Sequence, residues 1–477
     1  MSSEQFLIEK KTEIEKELNS KKRLFIFIIL VIIATVSSFD GGIIPQATTT
    51  LTKDWNTKDL NIGYFSASDF IGRVFGSLFL AYFINIYNRK YLLIYSLFFK
   101  GILMTLSIFF KNFFVNIFAR GFSGISQVFY TSYFPVWADQ FAEKELKSLW
   151  VMLVQIGNPL GIILGYGLST VLNSVGFGYD EKNDKLNFGE WRIAFMIEGI
   201  ILFLIGILCL KFENIYFDKN FVLIDKNKGK IEENEVKENF LGFFQNFCKI
   251  IKNPLYLFTT LATAILYFGL EIFQFWGNNY LKDYKNVTNK SKLFLFNVIC
   301  VSGPTIGVAS GGIITSKLGG YSKKKTIFFT VILSFFGSFF GLLISEVPKE
   351  NHLTIFCLIV WLFYLFLGGM IPPEAGIIIS SLPKELKGDG YTVTNFICNL
   401  FGSVPGPFVY PFFKDVVFKN DDNNWPKAMF VCMLINCLNT IFIVIAVFFR
   451  MRLPEDLDVS LPLITNNIEA IEIENTN

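Results

Sequence analysis

LFIFIILVIIATVSSFD, residues 24–40, runs sixteen positions without a charge before it meets Asp40. Continued through Gly41, Gly42, Ile43 and Ile44, the run exceeds the roughly 20 residues that a helix rising 1.5 Å per residue needs to cross a ~30 Å hydrocarbon layer. The rest of the chain repeats the pattern. Of its 477 residues, 52% are hydrophobic and only 17% charged, Phe alone contributes 56, and the mean hydropathy is +0.46. A soluble protein of this length would hide two or three cores behind charged shells, and there is too little charge to build them. The chain is therefore read as an all-α, polytopic membrane protein. Its net charge of +3 says nothing about nucleic acid, and no nucleic-acid partner is expected.

Twelve apolar runs can be traced, near 24–50, 61–87, 91–110, 112–138, 148–173, 191–210, 255–281, 293–316, 325–345, 353–382, 390–413 and 427–449. They divide the chain into an amino-terminal segment 1–23, a first six-helix bundle 24–210, a charged linker 211–254, a second six-helix bundle 255–450 and an acidic tail 451–477. With the amino terminus inside, the cytosolic segments hold 26 Lys and Arg against 14 outside, and Arg73, Lys100 and Arg120 lie within spans. By the positive-inside rule both termini are expected to be cytosolic. The outer loop 282–292 carries two glycosylation sequons, at Asn286 and Asn289, whose use the sequence leaves open. The plasma membrane and an endolysosomal-type membrane are equally compatible with these features.

The two bundles read as diverged copies. Ala81-Tyr82-Phe83-Ile84-Asn85-Ile86-Tyr87-Asn88-Arg89-Lys90 closes span two, and Gly312-Ile313-Ile314-Thr315-Ser316-Lys317-Leu318-Gly319 closes span eight, 231 residues later. The same offset carries Leu24 onto Leu255 and Asp40 onto Glu271; Gly157 maps onto Gly402 at an offset of 245. Parallel six-span repeats are a signature of major facilitator transporters. Both turns resemble that superfamily's loop pattern G-x-L-a-D-r-f-G-r-k, with Arg89 and Lys90 at its basic end and with Asn85 and Ser316 where the family carries an acid. The resemblance implies a conformational lock at these turns, weakened by the missing carboxylates. Trp191-Arg192-Ile193-Ala194-Phe195 at the start of span six is another facilitator habit.

Within the superfamily, residues 37–170 resemble the spinster-like lysolipid and sphingolipid transporters. Tyr87-Asn88-Arg89-Lys90-Tyr91-Leu92 is similar to the Y-N-R-K-Y loop, and Arg120-Gly121-Phe122-Ser123-Gly124-Ile125-Ser126-Gln127 to R-G-L-V-G-V-G-E. Asp139-Gln140-Phe141 is similar to D-L-F, and Gly157-Asn158-Pro159-Leu160-Gly161 to the family's span five. Two departures matter: the Arg that follows the span-one acid is Gly41 here, and the span-four Glu is Gln127.

A charge at mid-bilayer costs at least ~2.5–3.5 kcal/mol, so each one is a site hypothesis. Asp40 and Arg120 are the expected core of the site, a carboxylate–arginine pair able to trade a proton for a conformational change, with the helix loosened at Gly41-Gly42. Gln127, two turns beyond Arg120, is either a substrate contact or filler. Glu271, the repeat mate of Asp40, and Gln274 are placed at the outer mouth of a cavity. Asp69 and Arg73 form an i,i+4 pair that neutralises itself, Lys100 and Glu198 are expected to make lateral contacts only, and Glu374 after Pro372-Pro373 is structural.

Gly157, Pro159, Gly161 and Gly165 in span five, answered by Gly402 and Pro405 in span eleven, are expected to let the two halves approach and rock. The single histidine, His352, lies in a polar connection, and no cysteine pair has metal-like spacing, so no catalytic residue, metal or cofactor is expected and the chain is not read as an enzyme. These features describe a monomeric secondary active transporter working by alternating access, proton-coupled or facilitative. Its expected substrate is a lysolipid-like or other anionic amphiphile. The alternatives are a small organic anion or nutrient and, from a different class, a receptor or sensor on the same fold.

Overall fold

The computed structural model describes residues 20–453 apart from 58, 84–86, 144, 178, 181–184, 187, 218–239, 288–289, 349–351, 384–385 and 422. Span one is three helical pieces, Ser20–Val36, Asp40–Gln46 and Thr48–Asp54. Spans two to six are Asp59–Phe83, Arg89–Leu106, Phe113–Phe141, Lys147–Leu172 and Glu190–Leu210. Spans seven to ten are Pro254–Asn279, Lys290–Lys317, Lys324–Glu346 and Leu353–Ser380. Span eleven runs over Lys387–Val417 with its helix broken before Gly406, and span twelve joins Asn424–Asn436 to Leu438–Met451. A two-residue hairpin, Tyr179–Asp180 against Lys185–Leu186, decorates the connection between spans five and six.

Local sequence sets the starts. Asn88, Asn112 and Asn253 each accept a backbone N–H of the first turn they precede, and Pro254 occupies the position where a missing N–H costs nothing. Ten of the segments are long and apolar enough to cross a membrane by length and composition. Spans two and four are as long, but carry Asp59, Asp69 and Arg73, and Arg120 and Asp139. The all-α bundle of twelve spans stands. Of the linker, residues 218–239 lie outside the described residues; Phe240–Ile251 is an amphipathic helix against spans seven and eleven, where the Asn246 amide donates to Asp389 at 3.3 Å.

The repeat is visible in the packing. Span two crosses span four where a Cβ on Gly72 would sit 1.9 Å from Gly121 O, and span eight crosses span ten where one on Gly311 would sit 2.1 Å from Gly369 O. Span three packs on span six as span nine does on span twelve, and span one on span five as span seven does on span eleven.

The last of these pairs corrects the expected role of the glycine stripe. A Cβ on Gly161 would lie 2.0 Å from Thr35 O, one on Gly165 2.0 Å from Phe39 O, and one on Gly157 2.8 Å from Ala34 Cβ. All three neighbours belong to span one of the same half. Gly402 likewise meets Ala264 O at 2.3 Å in span seven, and Pro405 precedes the helical piece that begins at Gly406. These small residues pack each half internally instead of forming a sliding face between halves. Across the halves span five meets span eight, with Met152 against Gly312.

One end of the bundle, which carries Ser20 and Met451, is tied by Arg23–Glu143 at 2.7 Å and Lys22–Glu213 at 3.0 Å. At this terminal end the halves share one apolar core, in which Phe27, Trp137 and Trp150 stack and which continues into Tyr256, Tyr321, Ile378 and Ile397. Toward the far end, a separate core of Ile43, Ile44, Leu51, Trp191 and Phe195 belongs to the first half alone.

Candidate functional site

Span one breaks at Ser37–Phe39, just before Asp40. The break is not at Gly41-Gly42 as expected. Gly42 is small because span five crosses there: a Cβ would lie 2.0 Å from Ile162 O. The break frees the Ser37 carbonyl, and two side chains cap it: Lys100 Nζ donates at 2.7 Å and Gln127 Nε2 at 3.2 Å. Asp40 opens the next helical piece and its Oδ1 accepts the Gly41 N–H at 2.9 Å.

Asp40 Oδ2 lies 3.2 Å from Arg120 Nη1, as the sequence suggested, but also 3.8 Å from Lys100 Nζ. Lys100 is wholly buried; it further reaches Glu198 Oε1 at 3.2 Å and donates to Gln127 Oε1 at 2.8 Å. Lys100 and Glu198 thus make contacts between spans and line neither cavity, but Glu198 does not stand alone and Lys100 does not snorkel. Spans one, three, four and six meet in a four-charge network of two acids and two bases, with Lys100 at its hub. All four charges stand out in the sequence; what it lacked was the pairing of spans three and six, which sets Lys100 opposite Glu198.

Arg120 stands behind Asp40, with its guanidinium over the Phe65 ring. The arginine in the cavity wall is Arg73. It pairs with Asp69 at 2.6 Å, as expected, yet also faces two adjoining cavities between the halves. The first, of about 120 Å3, is bounded by Asp40, Arg73, Asn158, Pro159, Glu271 and Gln274 together with aromatic and aliphatic walls. The second, of about 100 Å3, is more polar than the first and has Gln127, Gln155, Asn395 and Asn399 in its wall. Ser38, Arg73, Asn158, Tyr267 and Glu271 line both, so they form the partition.

Asp40 and its repeat mate Glu271 thus face one cavity from opposite halves. Gln274 ties the halves directly, donating to Gly41 O at 3.1 Å. Glu271 is buried, has no ion pair among the described residues, and leaves Oε2 without a hydrogen-bond partner. Glu374, wholly buried in span ten, has among the described residues only the Thr263 hydroxyl, 2.9 Å from its Oε2, as a hydrogen-bond partner.

Of the two expected locking turns, the second packs across the halves, where a Cβ on Gly312 would fall 2.2 Å from Met152 Cγ and one on Gly320 3.5 Å from Ser148 Oγ. Asn85 lies outside the described residues. Arg89 and Lys90 begin span three, and Lys90 Nζ donates to Leu210 O at 3.1 Å and Phe212 O at 2.5 Å, within its own half. Ser316 O accepts the Gly319 N–H in the turn that ends span eight. Among the described residues the ion pair that joins the halves is made by Asp139, next to this turn. It takes Lys387 at 2.6 Å and the Tyr321 hydroxyl from the second half, and Lys147 at 3.4 Å from its own. Gln155 to Tyr391 at 2.9 Å and Asn395 to Ser132 at 2.8 Å close the terminal end further inward. At the far end Arg192 and Trp191 hold Asp54 at 2.6 and 3.2 Å, so this sequence habit pins span six to the end of span one.

The profile of the Major Facilitator Superfamily matches residues 27–407. A sphingosine-1-phosphate transporter of Danio rerio is 21% identical over 345 residues, covering 69% of this chain and 64% of its own length. A hexose transporter of Plasmodium falciparum is 23% identical over 418 residues, 79% of this chain and 78% of its own. A solved proton:xylose symporter superposes with a TM-score of 0.69 at 16% identity, over 95% of this chain and all of that one. The chain spans about three fifths of the length of the first curated relatives it matches.

Proposed function

Because the chain belongs to the Major Facilitator Superfamily and is a multi-pass membrane transporter, we propose that it is a secondary active transporter in which the two halves alternate access to a substrate held between them. The observation that carries this reading is the pair of adjoining cavities walled by both halves, the first of them lined by the repeat mates Asp40 and Glu271. Binding sites at the repeat interface are what such a repeat is built to hold. With both termini cytosolic, the end closed by Asp139 faces the cytosol.

Arg73 supplies a cation at the partition, and Phe70, Ile162, Leu270, Phe273 and Ile371 supply apolar wall beside it. That combination suits an anionic amphiphile, with head group at Arg73 and chain along the wall. A second reading, a small polar nutrient, is favoured by the amides of Asn158 and Gln274 and by a volume close to that of a small ring. Neither reading involves a chemical change of the substrate.

The test is uptake into proteoliposomes of a panel of lysolipids, carboxylates, sugars and amino acids, with Arg73→Gln beside the wild type. An amphiphile substrate predicts that the lysolipid is carried and that Arg73→Gln lowers its uptake at least tenfold, about 1.4 kcal/mol of lost binding. Uptake of a sugar unaffected by Arg73→Gln supports the nutrient reading. Transport of nothing in the panel removes both substrate readings.

A further inference from the structure

Asp40 and Glu198 of the first half are compensated by bases, although Glu190 near the far end has only the Thr50 hydroxyl as a side-chain partner among the described residues. In the second half Glu271 and Glu374 have no base in ion-pair contact among the described residues. Asp40 faces Arg120 and Lys100 within ion-pair distance, with Arg73 across the cavity; Glu198 faces Lys100. Two acids and two bases balance, so moving a proton onto Asp40 would leave the network with an uncompensated base. Glu271 meets no base within ion-pair distance among the described residues. The charged groups that face it are Arg73 and Asp69, already committed to each other at 2.6 Å, and its other neighbours are Tyr267, Tyr364, Gln274 and the close-packed backbone of span eleven at Gly406. Glu374 faces no charged side chain in ion-pair contact among the described residues; Thr263, Tyr267 and Cys398 surround it.

The hydrogen bonds at Glu374 indicate where its proton sits. The Thr263 hydroxyl has one hydrogen and lies 2.9 Å from both Glu374 Oε2 and Thr259 O. A carboxylate and a carbonyl would compete for that hydrogen. A carboxylic acid resolves the conflict by donating its own O–H to Thr263, whose hydrogen then goes to Thr259. Thr263, Tyr267 and Glu271 are spaced four residues apart along one face of span seven, a hydroxyl-bearing stripe of about 12 Å by helix rise that joins the buried Glu374 to the cavity.

We propose that the coupling proton is carried in the second half by Glu271, which faces the cavity, with Glu374 at the closed end of the stripe standing permanently protonated, while Asp40 stays ionised as part of a fixed four-charge anchor. The proton is taken from the cavity by the Glu271 carboxylate, leaves the same oxygen when the other side opens, and is not handed to Asp40. This deepens the transporter reading, but protonation can be measured with no substrate at all.

The experiment is an infrared pH titration of the full chain in liposomes, following the C=O stretch of protonated carboxyl groups between about pH 5 and 9. Two bands are expected in the wild type. Glu271→Gln should remove the one that titrates, and Glu374→Gln the one that persists. Glu-selective carbon-13 labelling of the unmutated protein should move both bands and Asp-selective labelling neither, which decides the assignment even where a variant does not fold. Bands that move with the Asp label, or the absence of any protonated carboxyl band, overturn the proposal. A failed uptake panel with two glutamate bands present would sink the substrate readings and leave this one standing.

Discussion

Asp40 and Glu271 occupy the same position in the two repeats and look into the same cavity, yet one is held by two bases and the other by none within ion-pair distance among the described residues. The difference comes from the neighbouring spans. Where spans three and six meet, Lys100 faces Glu198 at 3.2 Å; where spans nine and twelve meet, the Ser334 hydroxyl donates to Asn439 at 2.8 Å. A shared backbone plan therefore carries ionic glue in one half and neutral hydrogen bonds in the other. Buried ion pairs add little net stability but are costly to break one member at a time, so the first half is the rigid one electrostatically, and the second is free to change its charge.

The largest effect should follow from breaking the first-half network at its hub. Lys100→Met leaves Asp40 and Glu198 sharing a single base, and strips both Ser37 O and Gln127 Oε1 of a donor. Removing one partner of a buried pair costs about 3–5 kcal/mol. A thermal melt of purified protein in detergent should show a loss of that order, well beyond that of Ser334→Ala at the equivalent contact of the second half. Equal losses in the two would erase the electrostatic distinction between the halves.

Next come the glycine crossings, which the two halves share. A Cβ at Gly161 falls 2.0 Å from the Thr35 carbonyl, a backbone atom that cannot move aside; at Gly406 it falls 2.8 Å from Glu271 Cβ. Gly161→Ala should cost about 1–3 kcal/mol, as overpacking does, and Gly406→Ala should cost less. Because both contacts lie within a half, each variant should lose stability before it loses the ability to rock. A Gly161→Ala protein with wild-type melting but no uptake would restore the glycine stripe to the gate.

The fold was legible because its signals are long and redundant: twelve apolar runs, a charged linker and two turns 231 residues apart each point to a doubled six-helix bundle. The Asp40–Arg120 contact was legible too, since an acid and a base in two otherwise apolar spans have few other partners. What stayed hidden depends on which spans are neighbours. Lys100 and Glu198 are 98 positions apart, and nothing local marks them as a pair. Arg73 looked spent on Asp69 because an i,i+4 spacing gives the contact without saying which way the helix face points. The glycine stripe was visible as a close-approach surface, but spacing alone does not name the helix that approaches.

A smaller effect is expected at the terminal end, where the comparison is between closed and open mouths. Asp139→Asn keeps a side chain of the same size while giving up the charge that draws Lys387 and Lys147. Losing about 1.4 kcal/mol of closing energy would raise the open population tenfold. Cys398 is a native reporter, buried and lining the second cavity just inside this mouth. Maleimide labelling of Cys398 should quicken by about that factor, read on the peptide that carries it because Cys248 is exposed and Cys300, Cys357 and Cys437 are partly exposed. An unchanged rate would mean that the aromatic core around Trp137 and Tyr321, and not the ion bridge, keeps this end shut.

The smallest effect belongs to a second buried lysine, which sharpens the contrast with Lys100. Lys285 follows span seven at the far end and donates to Val347 O at 2.8 Å and Pro348 O at 2.6 Å, over the rings of Phe356 and Tyr284. It has carbonyl and aromatic partners where Lys100 has two carboxylates, and burial pushes its ammonium down to about 8. In the unfolded chain the same group titrates near ~10.4. Between those two values the unfolded state binds the extra proton, so stability rises as the pH is raised from about 8 and levels off once both states are neutral. Below that window both states are charged and this group adds no pH dependence. Carbonyls and rings hold the ammonium in the connection that follows span seven, not inside the bundle, which discounts the shift, so the rise should be slight, on the order of 1 °C in Tm. Lys285→Met should abolish that slope and leave the melt otherwise near wild type, because the methionine keeps the packing against Phe356. A slope that survives in Lys285→Met belongs to another group, and the far-end lysine would then be no more than a cap on the loop carbonyls at Val347 and Pro348.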